Sequence, residues 1–76
     1  MTANDVIRMR MKDQKVTSKD LSKVLGYKSG SAVRQRLIGN MRVDILINML
    51  DALGCELVIR PKEEEGEWVI TEGLED

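Results

Sequence analysis

The strongest constraint on this chain is its punctuation. Thr2 is followed three residues later by Asp5, and Thr17 by Asp20. At that spacing a threonine hydroxyl and a carboxylate each accept from the other's backbone N–H, the capping box of a helix start. Gly26, Gly39 and Gly54 fall just beyond apolar stretches, where a helix end takes up a residue of positive φ. The first 54 residues are thereby cut into four helical segments too short to be stable alone, which must pack on one another.

The spacing predicts helix 1 over residues 3–14, with Val6, Ile7 and Met11 inward and Arg8, Lys12 and Asp13 outward. Helix 2 is expected over 18–25, with Leu21, Val24 and Leu25 as its apolar positions. Tyr27 to Ser31 reads as a turn. Helix 3 should begin near Ser29 to Ser31, turn Val33 and Leu37 inward, leave Arg34 and Gln35 outward, and end at Gly39-Asn40. Val43 to Leu53 is the most apolar stretch, and helix 4 should be central, with Leu46, Met49, Leu50 and Leu53 on one face. Met9, Met11, Met41 and Met49 read as core filler.

After Gly54 the period changes. Glu56 to Arg60 is β-branched and closed by Pro61, and Trp68 to Thr71 is a second strand-like run. Together they predict a hairpin with a loop of about six residues, the acidic run Glu63 to Glu67 lying in that turn. A lone hairpin is only marginally stable, so it must pack on the helices or pair with another. The expected class is mainly α: four helices over residues 1–54, then a β-hairpin and acidic tail over 55–76 in the same compact unit, fraying over Glu72 to Asp76.

Charge divides at nearly the same place. Residues 1–42 hold ten Lys and Arg against three acids, and residues 43–76 hold two against ten. A net charge of −1 therefore conceals a basic half of +7 and an acidic half of −8. The first suits phosphates and the second must face away from them.

Other classes are poorly served. There is no His and one cysteine, Cys55, so a zinc finger or a His-based catalytic site is not available. No nucleophile–base pair or phosphate-cradling glycine loop is present, so no enzymatic activity and no cofactor are expected. The N-terminal residues lack the apolar core of a signal peptide, and no apolar run approaches a membrane span, so a cytoplasmic location and no membrane partner are expected.

The segment Val16-Thr17-Ser18-Lys19-Asp20-Leu21-Ser22-Lys23-Val24-Leu25-Gly26-Tyr27 resembles the phage-repressor (Cro-like, xenobiotic-response-element) helix-turn-helix family. Ser22 takes the pattern's small position, and Ser31 to Asn40 looks like its recognition helix and following turn. Asp44 to Gly54 looks like the fourth helix. The turn from Tyr27 to Ser31 is about one residue longer than usual, and the hairpin lies outside the core pattern. The resemblance implies a lambda-repressor-like fold, double-stranded DNA as partner, and a transcriptional regulator, a repressor, of phage or mobile-element type. In such folds the third helix enters the major groove and the second crosses above it.

Base reading would then fall to Ser31, Arg34 and Gln35. Phosphate contacts would come from Thr17, Ser18, Lys19, Lys28, Arg36, Asn40 and Arg42. Each has an alternative: Thr17 as cap, Ser31 as helix start, Arg36 as partner of an acid, the lysines as plain surface. Tyr27 reads as a packing residue rather than a stacking platform, and Cys55 as a small buried one. Because specific binding usually uses two half-sites about 34 Å apart, a homodimer is expected. Leu57, Ile59, Trp68 and Ile70 are its expected interface, with the free edge of the second strand pairing across a two-fold axis. A second reading remains open: an antitoxin-like module whose acidic C-terminal half binds a basic partner protein.

Overall fold

The computed structural model describes residues 1–73. Four helices, α1 (Ala3–Gln14), α2 (Ser18–Leu25), α3 (Gly30–Ile38) and α4 (Val43–Ala52), are followed by strands β1 (Leu57–Ile59) and β2 (Trp68–Ile70). Residues 74–76 of the expected acidic tail lie outside the described residues.

Both expected capping boxes are present. Thr2 Oγ1 accepts from the Asp5 N–H at 3.1 Å and the Asp5 carboxylate accepts from the Thr2 N–H at 3.0 Å. Thr17 and Asp20 repeat the arrangement at 3.1 and 3.0 Å. The backbone N–H bonds, followed by those of the threonine side chains, hold both aspartates below their ordinary value of 3.8. A carboxylate lowered in the fold stabilises it where ionised, above that ordinary value, and the stabilisation disappears as pH falls through the lower folded value. Unfolding stability should therefore be level near neutrality and decline on acidification through and below pH 3.8, with a shallower decline in Asp20→Asn. Thr17→Ala should cost about 1 kcal/mol in urea unfolding at pH 7.

The helix ends are closed differently from one another. Gly26 (φ 77°) and Gly54 (φ 69°) take the left-handed conformation that the sequence suggests. Gly39 does not: it ends α3 in an extended conformation, φ −125°. Between α1 and α2 the left-handed residue is Lys15, φ 57°, a position no glycine marked.

Ile7 and Met11 of α1, Leu21 of α2, Val33 and Leu37 of α3, and Met49 and Leu50 of α4 with Leu53 just beyond form one buried core. Ser22 is buried with them because its hydroxyl is satisfied, donating to the Lys19 carbonyl at 2.6 Å. Three expected core positions are elsewhere, Val6 being half-buried outside this cluster. Val24 is 71% exposed and Met9 45%, since each points off the face its helix presents to the core. Leu46 is half-buried at the edge of the core. Helix α1 straps the others. Asn4 Nδ2 donates to the carbonyls of Leu37 and Gly39 at the end of α3, and Gln14 Nε2 donates to the Leu53 carbonyl beyond α4 at 2.7 Å.

β1 and β2 pair antiparallel, with Leu57 opposite Ile70, Val58 opposite Val69 and Ile59 opposite Trp68. Eight residues, Arg60 to Glu67, connect them, two more than the expected loop, and β1 ends at Ile59, before the expected Arg60. Leu57 packs against the helical core, and Ile70 is half-buried. Ile59 and Trp68 lie on the same face of the hairpin yet are each 58% exposed, beyond the reach of the helices. No helix among the described residues is long and apolar enough to cross a membrane.

Candidate nucleic-acid interface

α2 and α3 approach closely at their starts. A Cβ placed on Gly30 would lie 3.1 Å from the Lys19 backbone nitrogen and 3.2 Å from the Ser18 carbonyl carbon. A glycine at the first position of α3 thus lets that helix lie against the first turn of α2. Val33 and Leu37 face the core, which directs Ser31, Arg34, Gln35 and Ile38 to the surface. These are the outward positions of a helix whose neighbours on one face recur every three or four residues.

Arg34 is the centre of this surface. Its Nη2 donates to Ser31 Oγ at 3.1 Å, so two of the three expected base-reading residues are held together. Arg34 also borders two clefts. One, of about 420 Å³, is lined by Arg8, Lys12, Thr17, Ser18, Arg34 and Ile38, among others. The second, of about 400 Å³, is lined by Lys19, Lys23, Lys28, Ser29, Ser31 and Arg34, with Ser22, Tyr27 and Gly30. Cations and hydroxyls therefore surround Arg34 along the side of α3 that faces α1 and α2, while Gln35 borders neither cleft.

Four expected phosphate contacts, Thr17, Ser18, Lys19 and Lys28, line these clefts. The Thr17 hydroxyl oxygen accepts the cap bond, which leaves its hydrogen free to donate. Asn40 is exposed beyond the end of α3 and borders neither cleft.

The other two have partners within the chain. Arg36 stacks on Tyr27, its guanidinium carbon 4.4 Å from the ring centroid, and its Nη1 donates to the Ala32 carbonyl at 2.9 Å. It meets an aromatic face instead of the acid partner considered from the sequence, and Tyr27 is half-buried against the core, as expected of a packing residue, with its ring under that arginine. Arg42 pairs with Asp44 at 3.2 Å across the start of α4, which offsets its charge.

No family model, curated protein or solved structure matches this chain. Its own geometry carries the functional reading, and it adds three residues that the sequence pattern alone does not single out. Arg8 and Lys12, one turn apart on the outward face of α1, line the first cleft, where Arg8 Nη2 also donates to the Leu37 carbonyl at 2.9 Å. Their i, i+4 spacing was the available signal. Ile38 is 78% exposed one turn beyond Arg34, and an exposed isoleucine in the last turn of α3 is the kind of group that meets a thymine methyl.

The expected dimer residues divide into two pairs. Leu57 and Ile70 are turned toward their own chain, while Ile59 and Trp68 are open. The hairpin runs beside α4: Cys55, Glu56 and Leu57 on one side and Val69, Ile70 and Thr71 on the other line a cleft of about 290 Å³ with Ile47, Asn48 and Asp51. Just beyond, Gly73 lies against Asp44, where an added Cβ would meet the aspartate Cβ at 2.9 Å.

Proposed function

We propose that the protein is a sequence-specific regulator of transcription that binds double-stranded DNA through a helix-turn-helix formed by α2 and α3. α3 enters the major groove, and two copies engage a palindrome as a homodimer. Repression follows from occlusion of a promoter by the bound pair. The observation that carries this reading is the exposed Ser31–Arg34–Gln35–Ile38 face of α3, with Arg34 shared by two clefts lined by cations of α1, α2 and the turn before α3. Groove-reading groups flanked by phosphate-binding groups are what a duplex requires, since base edges lie between two charged backbones.

The charge division supports the same orientation. The acidic run Glu63 to Glu67 is exposed in the β1–β2 connection, whereas the basic clefts belong to the helices. The order and spacing of the residues that resemble the phage-repressor pattern add to it. Thr17 and Ser18 open α2 beside Arg34, where free backbone N–H groups and hydroxyls can hold a phosphate.

Selection from a random-sequence duplex library at about 0.1 M salt tests this reading, since such contacts weaken with salt. Enrichment of a palindrome with half-sites about one helical turn apart is the expected result. Failure to enrich any sequence over several rounds would overturn it.

A further inference from the structure

The hairpin carries an apolar surface that its own helices leave uncovered. Ile59 and Trp68 form one cross-strand pair, and Val58 and Val69, on the opposite face, form another; all four are exposed. The hairpin meets α4 where Glu56 and Leu57, with Val69, Ile70 and Thr71, line one cleft, and the chain beyond β2 closes on Asp44. Leu57 and the exposed Glu56 before it border that cleft, while Val58 and Ile59 lie outside it and are exposed. An open edge of this kind takes another strand or must be blocked.

The residues along β1 are self-complementary. Glu56-Leu57-Val58-Ile59-Arg60 is an acid, three apolar residues and a base. Laid antiparallel on itself about Val58, it places Glu56 opposite Arg60 of the other copy at both ends. Opposite charges in directly facing positions favour such a register, and like charges oppose it. Pairing β2 on itself about Val69 has no such match, because Glu67 would face Thr71.

We propose that β1 is the edge through which two copies of this chain pair, antiparallel and centred on Val58, with Glu56 of each against Arg60 of the other. The inference rests on the reading of the protein as a homodimer and names the surface that makes it. The result is a four-stranded sheet. One of its faces has Val69, Val58 and their two counterparts in a single row. On the other, Ile59 and Trp68 of one copy come into line with Leu57 and Ile70 of the second. Leu57 already packs on its helices, so each copy extends the other's covered face over the two residues left bare. Arg60, which lies 3.8 Å from Glu67 of its own hairpin, then has a carboxylate on both sides.

Sedimentation of the full chain without DNA tests the pairing and its register. Wild type should be a dimer at tens of micromolar. E56R or R60E alone should raise the dissociation constant by roughly thirtyfold, since two facing pairs turn from attraction to repulsion. The E56R/R60E chain should recover association, and a mixture of the two single variants should form one-to-one heterodimers by native mass spectrometry. E56R leaves the Arg60–Glu67 pair intact; should R60E not fold, E56R/R60E/E67R reverses every charge in the row and takes the place of the double variant. A wild-type monomer would overturn the homodimer reading and this inference together. A wild-type dimer indifferent to E56R would overturn the β1 register alone, and DNA selection remains a separate measure of the proposed function.

Discussion

Leu21→Ala should lower the unfolding free energy by about 3 kcal/mol, whereas Val24→Ala, three residues away on the same helix, should change it by about 0.5 kcal/mol or less. Leu21 is 1% exposed and belongs to the core with Val33 and Met49, residues that α3 and α4 contribute. Removing three carbons there loses their transfer free energy and leaves a cavity between elements too short to collapse freely. A chain of this size has a stability of roughly 4–11 kcal/mol, so the loss is a large part of the whole. Urea unfolding at pH 7 checks both variants, and equal effects at the two positions would contradict the packing of α2. The same pair locates the damage in function: DNA binding should fall with the folded fraction in Leu21→Ala and persist in Val24→Ala.

Those two residues also show where the sequence was legible. Both are apolar within an eight-residue helix, and only the crossing of α2 with its neighbours decides which is inside. Local signals carried well. The threonine–aspartate boxes start α1 and α2, Gly26 and Gly54 end α2 and α4, and each acts through backbone bonds within a few residues. What depends on a distant partner was not visible. Lys15 takes positive φ with no glycine to announce it, because the chain must reverse there for Val16 to bond the Met11 carbonyl. Arg36 and Tyr27 lie nine positions apart, and their stacking appears only once Gly30 brings α3 against α2.

The candidate site divides in the same way. Ser31, Arg34 and Gln35 follow from the inward placement of Val33 and Leu37, which helical periodicity gives directly. Arg8 and Lys12 come from α1, whose position over α3 is fixed by the Asn4 and Arg8 bonds to the Leu37 carbonyl, and no periodicity encodes that.

Arg34→Ala should cost about 1–3 kcal/mol at a selected DNA site, with relaxed preference at one base pair and a much smaller loss on random duplex. The guanidinium can give two parallel bonds to a guanine, a pattern no other base edge accepts. Ser31 accepts one of its N–H groups and so limits the side chain's freedom before DNA arrives, which reduces the ordering cost of the contact. Lys28→Ala is the matched control. Lys28 lines the second cleft from the turn before α3, where a flexible ammonium can neutralise a phosphate but reads no base. Its removal should weaken cognate and random DNA alike and lower the slope of log affinity against log salt by about one. Titrations of both variants on cognate and random duplexes at several salt concentrations separate the roles. Equal losses on the two duplexes for Arg34→Ala would make Arg34 a phosphate contact, and the base-reading face of α3 would then have to rest on Gln35 and Ile38.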